Sequence, residues 1–251
     1  MNLSQGEIFL WELLGTAVLV MLGTGVVANN VLRKTNGNGG GVLFVNIGWA
    51  FAVFTGASLA APTGAHLNPA ITIAAAVADK TEWSDVPMYL LAQLLGGIIG
   101  AVLCWAVYKL QFDDHDEPGG TLGVFATIPQ IPNKLWNTVT ETLATFILVA
   151  WVLFSPVLKT GDKGQVLDLG NAALGYAGVA FVVLVIGTSL GGPTGYAINP
   201  VRDLGPRIAY AFILPIRGKG SPQWGYAWVP VVGPILGGLL AALLYNVYPD
   251  V

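Results

Sequence analysis

The sequence predicts an all-α membrane protein that contains six transmembrane helices and two shorter half-helices in an inverted repeat. The first observation is composition. Of the 251 residues, 54% are apolar and 10% are charged, and the mean hydropathy is +0.67, whereas soluble domains carry roughly 25% charged residues. The other two observations are six long apolar runs and an internal sequence repeat. The net charge of −3 gives no reason to expect a nucleic-acid partner.

The six apolar runs are each long enough to cross a hydrocarbon core, which needs about 20 residues. They cover residues 8–32, 42–61, 86–108, 135–158, 172–191 and 224–248. The first run is interpreted as a retained span rather than a signal peptide, because no cleavage site follows it. Cys104, the single cysteine, lies within the third run and is expected to be a packed apolar thiol.

The repeat relates residues 56–70 to residues 187–201, and eight of these fifteen aligned positions are identical. It extends to Glu12 and Glu141, which hold matching places in the first and fourth runs. Each repeat therefore contains three spans, and an odd number forces the second repeat to enter the membrane upside down. The prediction is a single transmembrane domain over residues 1–251, with inverted repeat halves at about 1–111 and 135–251.

Two apolar segments are too short to span. Residues 68–78 form about 16 Å of helix, half of the ~30 Å core, and residues 199–211 are their counterpart. Short segments of this kind at matching places predict discontinuous helices that meet at mid-membrane. Asn followed by Pro begins a helix. The expected tips are Asn68, Pro69, Ala70, Asn199, Pro200 and Val201.

The chemistry of such tips favours neutral solutes. Each Asn side-chain oxygen accepts from its own helix, which would leave its NH2 group free as a fixed donor. Two helix N-termini that face each other concentrate positive potential. Cations and protons are rejected there, and a neutral solute with lone pairs is admitted.

Arg202 stands in the first turn of the second half-helix. An arginine in an apolar segment is costly and marks a transport pathway, although it can also snorkel or pair with neighbouring Asp203. The Gly-rich segments before each tip are expected to line the pore, since irregular backbone at membrane depth is tolerated only beside a cavity. These positions are Gly64, Ala65, His66 and Gly195.

The ionisable residues offer alternatives. Glu12 and Glu141 are either proton relays or structural acceptors for loop amides, and their symmetric placement favours the structural role. His66 is expected to be a neutral, hydrogen-bonded loop residue, because no second His or Cys lies at ligand spacing. No nucleophile–base pair or phosphate loop appears. The sequence therefore indicates no enzyme, no cofactor and no metal site.

These motifs resemble the major intrinsic protein family, which contains the aquaporins and glycerol facilitators, over essentially the whole chain. Asp203 directly after Arg202, together with Arg207 and Pro230, is similar to the glycerol-facilitator branch. The resemblance implies a selectivity filter made of Trp49, Gly187, Tyr196 and Arg202. At the position in the second span, Gly48 competes with Trp49, because a one-residue deletion is needed to align Trp49.

The resemblance implies a passive channel for glycerol, with water and related polyols. Gly187 is expected to leave room in the filter, and the hydroxyl of Tyr196 would suit a polar cargo. Undissociated hydroxy acids such as lactic acid are the alternative cargo. A proton-coupled transporter that uses Glu12 or Glu141 is a further alternative.

The resemblance also implies a homotetramer in the lipid bilayer, with both termini in the cytoplasm. Short loops and the absence of a targeting extension suggest a bacterial plasma membrane. The distribution of basic residues favours the opposite orientation. The side shared with the termini has three (Lys80, Lys159 and Lys163), and the other side has six (Arg33, Lys34, Lys109, Lys134, Arg217 and Lys219).

Overall fold

The computed structural model describes residues 3–155, 159–160, 165–166 and 175–248. Among these residues the regular secondary structure is helical apart from one two-residue antiparallel pair, β1 (Lys159–Thr160) with β2 (Gln165–Val166). The helices are α1 (Gln5–Val31), α2 (Gly41–Leu59), α3 (Pro69–Val77), α4 (Val86–Val107), α5 (Lys109–Asp114), α6 (Leu122–Phe125), α7 (Lys134–Phe154), α8 (Ala177–Ser189), α9 (Pro200–Ile208) and α10 (Val229–Val247).

Five of the predicted spans are helices long and apolar enough to cross a membrane: α1, α2, α4, α7 and α10. The helix in the fifth span, α8, has 13 residues. Residues 156–158 and 172–174 of the predicted spans lie outside the described residues. Helix α1 begins earlier than predicted because Ser4 and Glu7 form a capping box. Helix α10 begins later, at Val229, after turns.

Both predicted half-helices are present. Asn68 caps α3 and Asn199 caps α9, each with extended backbone and with proline at the first helical position. Helix α3 ends at Val77, and α9 continues into a π-helical turn, Ala209–Ile213. The Asn-Pro pair therefore starts both helices for the reason inferred from sequence: the side chain accepts orphan amides, and proline lacks only an amide proton that the helix does not use.

The two halves interlock. Within the first half α1 packs on α2 and α4, and within the second half α7 packs on α8 and α10. Each half-helix instead packs on a span of the opposite half, α3 on α10 and α9 on α4. A Cβ built on Gly97 would lie 2.9 Å from the Val201 carbonyl oxygen, and one on Gly238 would lie 2.7 Å from that of Ala70. Glycine is thus required where each half-helix crosses the other repeat.

The outer faces of the spans expose large apolar side chains. Examples are Leu10, Phe51, Leu143 and Phe181, each more than half exposed. The interior, in contrast, buries charged residues, among them Glu12, Glu141 and Arg207. This distribution is the reverse of a soluble domain and is suited to a bilayer. The predicted all-α membrane fold is confirmed.

Candidate transport pore

The tips of the two half-helices meet and are joined by reciprocal hydrogen bonds. Asn68 Oδ1 accepts from Ala70 N at 2.9 Å, and Asn199 Oδ1 accepts from Val201 N at 3.1 Å. Asn68 Nδ2 donates to Ile198 O, and Asn199 Nδ2 donates to Leu67 O, both at 2.8 Å. The expectation of an entirely free NH2 group was therefore wrong. One proton of each group fixes the opposite loop, and the other remains for a solute.

The approach loops adopt the same left-handed backbone in both halves. In the first, Gly64, Ala65 and Leu67 have φ of 81°, 56° and 51°. In the second, Gly195, Tyr196 and Ile198 have φ of 80°, 38° and 45°. Non-glycine residues rarely adopt such values, and a β-branched one such as Ile198 is an outlier. Such strain persists only where the surroundings over-determine it.

The two buried glutamates hold these strained loop residues in place. Glu12 accepts from Thr63 Oγ1 (2.6 Å), His66 N (2.9 Å), Leu67 N (2.7 Å) and Gln93 Nε2 (2.8 Å). Its carboxylate is fully buried.

Glu141 repeats the arrangement in the second half. It accepts from Thr194 Oγ1 (2.6 Å), Ala197 N (3.0 Å) and Ile198 N (2.8 Å), and it is also fully buried. Each carboxylate thus holds two consecutive amides of one approach loop.

Trp49 and Arg202 face each other. The Arg202 Cζ lies 3.8 Å from the centroid of the Trp49 ring, a cation–π geometry. Gly48 instead faces α1, since a Cβ there would come within 2.5 Å of Val26. The geometry therefore places Trp49, and not Gly48, beside the arginine.

Arg202 does not pair with Asp203. Asp203 forms a fully buried ion pair with Arg207 (Oδ1 to Nε, 2.8 Å) and accepts from Thr127 N and Oγ1. Among the described residues, no acceptor binds the guanidinium of Arg202. Arg202 is 8% exposed, so its N–H donors remain available to a solute.

Arg207 also donates to Thr127 O and Pro222 O. Asp203 and Arg207 therefore fasten two connecting segments to α9. Pro230 occupies the second position of α10. These three residues, noted from sequence as branch markers, have structural positions behind the pore.

Gly187 does not leave open space, contrary to expectation. A Cβ there would lie 2.7 Å from Tyr196 Cζ and 3.0 Å from Asn46 Cγ, so the tyrosine ring occupies the room. The hydroxyl of Tyr196 donates to Asn46 Oδ1 at 2.7 Å. The expectation that this hydroxyl faces the cargo was also wrong, because it points away into α2.

A cavity of about 410 Å³ runs from the Trp49–Arg202 pair past both asparagines to the ends of α7 and α8. Its polar lining includes Arg202, Asn68, Asn199 and His66, and its apolar lining, from α7 and α8, includes Leu148, Val149, Val179 and Val183. Gly64 and Ala65 also line it. Gly195 and Gly187 are not among its lining residues. A Cβ on Gly195 would lie 3.6 Å from the Thr127 side chain, so Gly195 faces Thr127 rather than the cavity.

His66 is part of this lining and is held in a fixed orientation. Its Nδ1 is 3.2 Å from Thr72 Oγ1, and its ring stacks on Tyr89 with centroids 4.5 Å apart. Within the described residues, no donor reaches the carbonyl oxygens of Gly64, Ala65 and His66. These oxygens form a short row of available acceptors beside the cavity.

Sequence reasoning missed several polar residues of the site. Thr63 and Thr194 are identical in the two aligned repeats, which was the available signal. Asn46 is a polar residue inside an apolar span, a pattern that marks function. Gln93, inside the third apolar run, carried the same signal. Thr127 carried none, because its partner Asp203 is distant in sequence.

A cavity that passes the meeting point of two opposed half-helices, with a stacked arginine at one end, is the arrangement of a membrane channel. The chain belongs to the major intrinsic protein family, which it matches over residues 3–245. Proteins of this family are channels rather than enzymes. This confirms the expectation from the sequence that the chain is not an enzyme.

Two similar proteins are bacterial. Glycerol uptake facilitator protein 3 of Lactiplantibacillus plantarum is 45% identical over 243 residues, which cover 96% of each chain. The glycerol uptake facilitator protein of Bacillus subtilis is 45% identical over 95% of this chain and 83% of its own. Among solved structures, the aquaglyceroporin from Plasmodium falciparum superposes with a TM-score of 0.79 at 29% identity, covering 98% of both chains.

Proposed function

We propose that this protein is a passive channel for glycerol, which also admits water and related small polyols. The observation that carries the proposal is the mixed lining of the cavity. The half-helix tips and approach loops contribute Arg202, the Asn68 and Asn199 amides and carbonyl oxygens, and α7 and α8 contribute aliphatic side chains. A polyol carries hydroxyls and exposed carbon, and it matches both kinds of lining at once. The names of the similar bacterial proteins support the same cargo.

In this proposal the filter consists of Trp49, Tyr196 and Arg202, with Gly187 behind the tyrosine. Trp49 orients the guanidinium by stacking and offers an apolar wall. Arg202 donates to hydroxyls, and its charge, together with the two helix N-termini, opposes cations. Asn68 and Asn199 then donate hydrogen bonds to the solute as it passes the centre of the pore.

Glu12 and Glu141 have structural roles in this proposal. Each carboxylate is occupied by donors of its own approach loop, so a proton relay would have to break those bonds. Transport is therefore uncoupled from a proton gradient.

We further propose that residues 1–251 act as one channel domain built from halves at about 1–111 and 135–251. The protein would be a homotetramer in a bacterial plasma membrane with both termini cytoplasmic. Family membership and the bacterial relatives support this assignment.

Labelling of an Asn36→Cys variant tests the orientation, because Asn36 is exposed in the turn between α1 and α2. In a Cys104→Ala background the new thiol should react with an impermeant maleimide from outside intact cells. Reaction only after lysis would contradict the orientation.

Stopped-flow light scattering on proteoliposomes tests the cargo. Glycerol, water and lactic acid would be compared, the acid near and well above its pKa. We expect rapid, non-saturating glycerol entry with a low activation energy and no response to a proton gradient. Arg202→Ala should alter glycerol permeability and weaken selectivity, whereas the exposed Arg217→Ala should not.

Other outcomes would contradict the proposal in distinct ways. Water entry alone would mean that the pore is too narrow for polyols. Lactic acid entry that outruns glycerol and disappears on ionisation would indicate a hydroxy-acid channel. Saturation with dependence on a proton gradient would indicate a coupled transporter.

A further inference from the structure

Asn46 lies on α2 behind the pore wall, where its side chain adjoins Gly187 and is hydrogen-bonded to the filter residue Tyr196. Its side chain is 1% exposed, and its Oδ1 accepts from the Tyr196 hydroxyl at 2.7 Å. Its Nδ2 is buried with no partner among the described residues. A buried, half-satisfied amide inside an apolar span is costly. Its one hydrogen bond in the described structure is the contact with Tyr196.

The ring of Tyr196 is fixed between two surfaces. One face packs on Gly187 of α8 and on Gly191 just beyond the end of that helix, which leave room for it, and Tyr196 also lines the cavity. Packing alone sets how deep the ring lies, and the hydrogen bond sets where its polar end points. The Tyr196 hydroxyl consequently points to Asn46 on α2 and is held there by the hydrogen bond.

Helix α2 carries both walls of the constriction. Asn46 and Trp49 are three residues apart and therefore lie on the same face of the helix. Trp49 stacks on Arg202 at one side of the passage, and Asn46 fixes Tyr196 at another. One rigid helix thereby sets the separation of the two aromatic walls.

We propose that Asn46 is a specificity-determining positioning residue, which sets the width and the apolar character of the filter by anchoring the Tyr196 hydroxyl outside the pore. This inference rests on the proposed function, since it concerns how the filter separates glycerol from water. It assigns a role to a residue that does not contact the solute.

The physical consequence of losing the anchor follows from burial. A tyrosine hydroxyl left among apolar groups without a partner carries a desolvation cost. The accessible relief is a rotation toward the cavity, where water and Arg202 lie. That rotation narrows the passage and adds a polar group to its apolar wall. Glycerol, which is larger than water, is impeded more.

The test is a double-mutant cycle in proteoliposomes: wild type, Asn46→Leu, Tyr196→Phe and the double variant, with glycerol and water permeability measured for each. Leucine has the same number and branching of side-chain heavy atoms as asparagine and lacks the acceptor. We expect Asn46→Leu to lower the glycerol-to-water permeability ratio by about threefold to tenfold, the factor that one hydrogen bond carries. In the Tyr196→Phe background the same change should have little further effect, because no hydroxyl remains to be anchored.

A purely structural role for Asn46 would give a different result. If Asn46→Leu alters the ratio equally with Tyr or Phe at position 196, or does not alter it, the proposal is overturned. Thr55→Val is the matched control on α2, because the Thr55 hydroxyl bonds to Phe51 O of the same helix. If the leucine variant does not fold, Asn46→Ser serves in both backgrounds, with a smaller shift of the same sign expected.

The cycle separates this inference from the proposed function. Absence of glycerol entry in the wild type would contradict the glycerol channel, and the cycle would then be read as the ratio of water to whichever neutral solute the wild type conducts. Presence of glycerol entry with an additive cycle would retain the channel and remove the role of Asn46.

Discussion

Ile198 shows at the scale of one residue how this pore is held. Its φ of 45° is strained for a β-branched side chain, at a cost on the order of 1–3 kcal/mol. Glu141 accepts its N–H, and Asn68 of the other half donates to its carbonyl. Leu67 is held in the same way by Glu12 and Asn199. One strained residue in each loop is thus held at both its N–H and its carbonyl group.

The two glutamates should differ when each is replaced by glutamine. Glutamine keeps the shape but presents an NH2 group to loop donors, so Glu141→Gln should lower the free energy of unfolding by about 1–3 kcal/mol. Glu12→Gln should cost less. The Oε1 of Gln93 has no partner, so an amide flip of Gln93 lets that oxygen accept from the new NH2. Thermal unfolding in detergent measures both, with Glu82→Gln, in a connecting segment, as control. Equal losses would contradict the flip.

At the scale of elements, the half-helices are positioned by glycines of the opposite repeat. Helix α9 lies against Gly97 of α4, and α3 lies against Gly238 of α10. The pore tips therefore depend on close backbone contact between the halves. Only the structure places these two glycines against the half-helix of the other repeat.

Alanine at either glycine should push a half-helix toward the pore. In an ordinary helix Gly→Ala stabilises by about 1 kcal/mol. Gly97→Ala and Gly238→Ala should instead destabilise by about 1–3 kcal/mol through overpacking, and they should reduce glycerol permeability. Gly25→Ala is the control, because its nearest neighbour would lie 3.9 Å away. Unchanged flux in the first two variants would show that the tips tolerate displacement.

At the scale of the whole molecule, the pore field arises because two inverted halves bring two helix N-termini to one point. Neither half creates it alone. Arg202 adds a full charge on one side, and the buried carboxylates are set back behind the loops, occupied by loop donors. The centre is thus positive and offers donors, which excludes cations while a neutral solute passes.

A negative charge at the junction should reverse that field. Asn68→Asp or Asn199→Asp retains a helix cap but removes the donor to the opposite loop and places a carboxylate at the tip. We expect glycerol permeability to fall and a proton or cation leak to appear, measured with a pH-sensitive dye inside proteoliposomes. Asn36→Asp carries the same charge change in an exposed turn and should be silent. A tight, leak-free Asp variant would mean that the tips do not control cation exclusion.

The sequence by itself determined the membrane character, the repeat, both half-helices and the two asparagine tips, because these depend on hydropathy, helix length and local capping. It also determined Arg202 and the paired glutamates, since a charge in an apolar run is conspicuous.

Only the tertiary structure decided which groups meet. It turned the Tyr196 hydroxyl toward Asn46, filled the space beside Gly187, joined Asp203 to Arg207 and directed Gly48 away from the pore. The Tyr196–Asn46 bond and the packing of Gly48 on Val26 join residues far apart in the chain, for which local sequence carries no signal. The Asp203–Arg207 pair has helical i,i+4 spacing, but the sequence left Arg202 as a competing partner of Asp203.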